Sequence, residues 1–256
     1  MRYFFRYFLA DLRRLIKSLR WLVGILGVAL SLFLALEDYL FQKGFVDGNV
    51  LATYISASIL TGSLIAYSFC AFPFAAAYPE EQEHKYTRYS VVRGNLRAYV
   101  AAKTAVIYLS SVTVMVLGTF LFLFLCRTQV PWTDMSKASY EFGMTTCYGS
   151  LLRDGHVLLY FALHALHMGM IAGALSSMAA LCSVVLSNTV LVYIFPVLAY
   201  RIFLTVNIGG YNIFGLTAQI KIFEQDWMDF MLLASLSVSV SVLAGIGCYL
   251  RLKRRL

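Results

Sequence analysis

The sequence predicts an all-α membrane protein of six transmembrane helices with cytoplasmic N- and C-termini. An amphipathic interfacial helix precedes the first span, a cytoplasmic helix lies between spans 2 and 3, and a re-entrant segment precedes span 6. Three observations carry this expectation. The 256 residues are 60% apolar and only 13% charged, whereas soluble domains are about half apolar and a quarter charged. The charges are absent from five stretches long enough to matter. Lys and Arg, finally, are distributed unevenly among the segments that remain.

The charge-free stretches are Trp21–Leu36, Val50–Tyr78, Thr104–Cys126, Val157–Tyr200 and Phe230–Leu250, of 16, 29, 23, 44 and 21 residues. A hydrocarbon core about 30 Å thick needs roughly 20 helical residues per crossing. The first stretch extends through Tyr39, Leu40 and Phe41. The fourth is two crossings joined by a turn between Ser176 and Asn188. One domain of six spans results, at about 21–41, 50–78, 100–126, 156–177, 184–204 and 228–250. Residues 202–220 also lack charge but contain Asn207, Gly209, Gly210, Asn212, Gly215, Thr217 and Gln219. Such polar backbone at membrane depth must be covered by protein or water, so it reads as re-entrant or interfacial and not as a seventh span.

Orientation follows from the basic residues. The N-terminus, the 79–103 segment and the C-terminus together hold 15 of the 21 Lys and Arg but only four acids, Asp11, Glu80, Glu81 and Glu83, a net +11. The opposite side carries −3. Both termini therefore face the cytoplasm. The first apolar run follows a long charged segment without a cleavage-site pattern, so the first span is expected to be retained. The basic charge is matched to the membrane surface, and no nucleic-acid partner is expected. Cys70, Cys126, Cys182 and Cys248 fall in apolar stretches as small hydrophobes. Cys147 falls in the 127–155 outer loop with no evident partner.

Residues 1–20 alternate with a helical period. Phe4, Phe5, Phe8, Leu12, Leu15, Ile16 and Leu19 share one arc, and Arg2, Arg6, Arg13, Lys17 and Arg20 the other. A basic amphipathic helix of this kind lies in the interface of an anionic membrane, although the same charges also serve as an ordinary positive-inside signal.

Residues 78–103 are the most informative. Pro79 suits a helical first turn. Glu80, Glu81 and Glu83 favour its positive end, Lys85, Arg88 and Arg93 its negative end, and Gly94-Asn95 a left-handed close. A cytoplasmic helix over 80–93 follows, displaying both charge signs with Tyr86 and Tyr89. That surface suits docking of a soluble protein; the alternative is a solvated loop that fixes topology.

This arrangement resembles the type-2 exporter permeases of ATP-binding cassette transporters. The resemblance rests on the layout of six spans and on Glu80/Glu81/Glu83, then Tyr89–Val92, Arg93-Gly94-Asn95-Leu96-Arg97 and Lys103 opening the third span. The Leu186-Ser187-Asn188 turn with Pro196 beyond it, and the polar 205–227 region, are also similar to that family. The resemblance implies that the 80–93 segment is a coupling helix seated in a groove of a separate ATPase, with Glu80, Glu81, Glu83, Lys85, Arg88, Tyr89 and Arg93 in contact. It implies two ATPase subunits carrying ATP and Mg, and a second permease, identical or related, in a bacterial plasma membrane. No Gly-x-x-x-x-Gly-Lys-Ser/Thr loop occurs in this chain, so ATP belongs to the partner. The chain itself is expected to hold no cofactor, no metal and no catalytic residue.

His164 and His167 share one face of span 4, with Met168 and Met170 nearby. Ionisable groups in a membrane are functional candidates. They line a pathway or bond to a neighbouring helix, pack simply, or hold a metal or haem in a His-based intramembrane protein. Arg201, after span 5, snorkels to the outer interface or meets an anionic cargo headgroup. The Ser and Gly run from Ser235 to Gly247 permits close helix packing. An ion-coupled secondary transporter is the remaining alternative, disfavoured because no carboxylate falls within a charge-free span.

Overall fold

A computed structural model describes residues 2–37, 44–59, 62–83, 95–185, 189–205, 223 and 225–255. The described residues are all-helical. The N-terminal residues form α1 (Arg2–Ile16) and α2 (Leu19–Leu34), which meet at an angle of 64°. The bend falls at Lys17 and Ser18, where the helical ladder lapses. α1 places Phe8, Leu12 and Leu15 of its apolar arc, with Tyr7, against the bundle and leaves Arg6 and Arg13 exposed, together with Phe5 and Ile16 of the same arc.

The stretch expected to form span 2 contains α3 (Val50–Ile59) and α4 (Gly62–Ala71), with residues 60 and 61 outside the described set. A turn over 72–76 leads into α5 (Ala77–Glu83). Pro79 lies in its first turn, as the sequence requires. The helix expected over 80–93 thus begins at Ala77, and the remainder of that segment, with Lys85, Arg88, Tyr89 and Arg93, lies outside the described residues.

α6 (Leu96–Arg127) is the longest helix described. Gly94-Asn95 was expected to close the preceding helix; Gly94 lies outside the described residues, and Asn95 is extended (φ −118°, ψ 120°), its side chain accepting a hydrogen bond from the Arg97 amide at 2.9 Å. Asn at this position satisfies an amide that the first helical turn leaves open. Lys103 consequently lies two turns inside the helix.

The loop expected on the outer side is structured, with α7 (Ala138–Thr145) and α8 (Gly149–Arg153) packed against each other. α9 (Val157–Val185) is a single helix of 29 residues that passes eight residues beyond the boundary expected for span 4. Nothing within it interrupts the helix, and residues 186–188, the end of the expected turn, lie outside the described residues. α10 (Thr189–Thr205) follows and carries Pro196. Most of the expected re-entrant segment at 205–227 lies outside the described residues. α11 (Asp226–Arg255) ends the chain.

α6, α9 and α11 are long and apolar enough to cross a membrane, and the bent α1–α2 pair counts as a fourth if taken as one span. The remaining segments of the six-span expectation are shorter helices. α9 is central, packed on α6, α11, α10 and α4. α2 crosses α6 where Gly118 meets Val28 and Ile25: a Cβ built on Gly118 would come within 2.6 Å of the Val28 Cβ. One apolar cluster joins Leu15 of α1, Tyr78 of α5, Tyr99 and Ile107 of α6, Val184 of α9 and Leu252 of α11. It draws the described parts of the three basic segments to one end of the bundle.

Candidate functional site

At that basic end, a charged cluster is held inside protein. Glu81 of α5 is 4% exposed and Lys103 of α6 is fully buried. Their Oε1 and Nζ are 2.5 Å apart. Arg14 of α1 donates to the same Glu81 oxygen at 3.0 Å, and the Tyr99 hydroxyl donates to the other. The Lys103 ammonium also lies over the rings of Tyr99, Tyr78 and Phe74 at 4.9, 5.4 and 5.8 Å from their centroids. Glu80, beside it, pairs with Arg20 of α2 and lies 3.7 Å from Arg14. Five elements are thereby tied: α1, α2, the 72–76 turn, α5 and α6.

A buried charge is tolerated only when paired and hydrogen-bonded. Here one carboxylate accepts hydrogen bonds from Arg14 and Tyr99 and pairs with Lys103, whose ammonium is also surrounded by the negative faces of aromatic rings. Asp11 of α1 lies close enough to feel the cluster. Burial pushes its carboxyl above the ordinary 3.8; Lys103 and Arg14 pull it down, and Glu81 pushes it up. The sequence pattern pointed to these acids as an exposed docking surface. Glu81 is instead turned inward and Glu80 is about a quarter exposed, so their charge is spent within this chain.

A second polar group lies at the opposite end. His164 and His167 of α9 are both buried, at 1% and 0% exposure. The Tyr148 hydroxyl is 3.2 Å from His167 Nδ1, and the Tyr148 ring stands edge-on to both imidazoles. Tyr160 lies 4.4 Å from His164 between ring centroids, and its hydroxyl is 3.0 Å from the Thr146 hydroxyl. Cys147 was expected in an open loop. It is fully buried, with Sγ 3.8 Å from Oδ2 of Asp229, which is itself fully buried at the start of α11.

Tyr148 adopts a left-handed backbone (φ 66°, ψ 12°). A bulky residue there costs about 1–2 kcal/mol, and such strain concentrates where a side chain must be aimed. Its hydroxyl is the atom being aimed, toward the histidine pair. Among the described residues, no group of three or more His, Cys, Asp or Glu side chains is arranged to hold a metal ion. Arg201 is exposed on α10, apart from both clusters.

Sequence reading missed Lys103 as a buried partner, and it missed Asp229. For Lys103 the available signal was its lone charge inside an otherwise apolar helical period. For Asp229 it was the i, i+3 spacing from Asp226, which puts two carboxylates on one helix face.

No family model, curated protein or solved structure matches the chain. The fold defines an all-helical protein whose three long apolar helices are compatible with membrane insertion.

Proposed function

We propose that this chain is the permease subunit of an ATP-binding cassette exporter of the type-2 kind, spanning a bacterial plasma membrane six times with both termini cytoplasmic. Two permeases, identical or related, form the pathway. Two ATPase subunits bind ATP and Mg, and hydrolysis takes place on them and not on this chain. The single observation supporting the reading is the Glu81–Lys103 pair with its Arg14 and Tyr99 partners. A coupling element must be fastened to the bilayer helices it moves. The short helix that begins at Ala77 is fastened to the longest apolar helix, and to the amphipathic helix, by desolvated charge. In this reading Lys85, Arg88, Tyr89 and Arg93 meet the ATPase groove, while Glu80 and Glu81 transmit the movement inward. Closure of the ATPase dimer then displaces the cytoplasmic helix and tilts the bundle.

The test is purification of the tagged chain from its native membranes, with the eluate assayed for an ATP-binding cassette ATPase and for ATP hydrolysis. Wild type is expected to retain the ATPase, and a Tyr89→Ala, Arg93→Glu variant to lose it while still inserting. A preparation without ATPase, or equal retention by the variant, overturns the assignment.

Asp229 favours one second reading. A fully buried carboxylate beside Cys147, in an end of the bundle that also holds His164 and His167, is the kind of group an ion-coupled secondary transporter uses. Transport abolished by collapsing the proton gradient, and by Asp229→Asn, would select that reading.

A further inference from the structure

A groove of about 760 Å³ runs between α6 and α11, lined by apolar side chains and small residues, among them Ala101, Ala105, Val242 and Gly245. It extends from Arg97 to Leu109 on one helix and from Val238 to Leu250 on the other. Twelve residues at 1.5 Å rise make about 18 Å, close to one leaflet of a core about 30 Å thick. One end is apolar. The other holds Arg97, whose Nε donates to the Tyr249 hydroxyl at 3.4 Å and whose guanidinium lies 5.8 Å from that ring. This contact uses one of five N–H donors, and the others have no partner among the described residues. Arg251, Lys253 and Arg254, all exposed, continue the positive charge along the last turns of α11.

We propose that this groove is a binding site for one anionic phospholipid, its acyl chains along α6 and α11 and its phosphate at Arg97. Size and charge select this occupant over a second copy of the chain. Copies in one membrane share an orientation, so a two-fold pairing through this face would bring two Arg97 and two C-terminal basic clusters to the same height, where like charges repel. An anionic headgroup meets that charge favourably. The inference rests on membrane insertion alone and not on the ATPase.

The experiment is native mass spectrometry of the full chain purified in detergent, with phosphatidylglycerol and phosphatidylcholine of identical acyl chains added in equal amounts. Wild type is expected to retain one phosphatidylglycerol in several-fold excess over phosphatidylcholine. Arg97→Glu should reduce that retention to the phosphatidylcholine level. Ala105→Phe, which fills the groove, should lose both lipids, while circular dichroism reports an unchanged helical fold in each variant. Equal retention of the two lipids, undiminished phosphatidylglycerol on Arg97→Glu, or retention surviving Ala105→Phe overturns the proposal. So does a disulfide between two copies through Ile246→Cys in native membranes. None of these readouts involves an ATPase, so failure here is separate from failure of the exporter reading.

Discussion

Glu81 and Lys103 show how burial changes the meaning of a charged residue. On a surface, an ion pair contributes about 0–1 kcal/mol. Removing one partner of a buried pair costs about 3–5 kcal/mol, because the other charge is left uncompensated. The two partners are not equivalent here. Without Lys103, Glu81 keeps Arg14 and the Tyr99 hydroxyl. Without the Glu81 charge, Lys103 loses the carboxylate 2.5 Å away and keeps chiefly its aromatic neighbours. Glu81→Gln should therefore lower the thermal midpoint of the detergent-purified protein more than Lys103→Met, and the double variant should recover part of the loss. Independent, additive effects of the two substitutions would mean that the pair is not coupled in the folded protein.

At the scale of elements, close helix approach depends on individual small residues. The Gly118 Cα faces Val28 and the Ile25 carbonyl so closely that a Cβ would overlap both. Gly118→Leu must push α2 away from α6, and overpacking of this kind typically costs about 1–3 kcal/mol. Leu117→Ala, at an exposed neighbouring position, should leave the midpoint nearly unchanged. Equal midpoints for the two variants would contradict the crossing. The elements themselves were readable to different degrees. α1 was legible because its apolar arc persists over four turns, and α6 and α11 because long charge-free runs have few alternatives. The role of Asn95 in opening α6 was not read, because closing a helix and opening the next use the same residue types. Cys147 and Asp229 were invisible as a contact, since 82 residues separate them and no local pattern reports which loop folds over which helix end. Glu81 looked like surface because acids usually are, and its buried state depends on Arg14 and Lys103 arriving from two other elements.

For the whole molecule, the described parts of the basic segments, at residues 2–20, 79–83, 95–103 and 251–255, are gathered at one end, and the 127–155 loop packs at the other. In the proposed topology, the positive-inside rule puts this basic end in the cytoplasm. In a variant lacking native cysteines, Met135→Cys, at a position 73% exposed, should react with an impermeant thiol reagent applied to intact cells. Lys253→Cys should react only after lysis. Native Cys147, being fully buried, should resist the reagent in folded protein from either side. Labelling of Met135→Cys only after lysis would contradict the topology.

In the proposed mechanism, movement of the helix that begins at Ala77 reaches the bundle through the buried charges. It is tested most directly by spin-label distances between Leu9→Cys on α1 and Met135→Cys in the outer loop, both exposed, in the complex with its ATPase. Trapping the ATPase with ATP and vanadate should shift the distance distribution, and the shift should vanish in the Glu81→Gln, Lys103→Met background while the ATPase remains bound. An unchanged distribution in the trapped wild-type complex, or a full shift in the double variant, would contradict it.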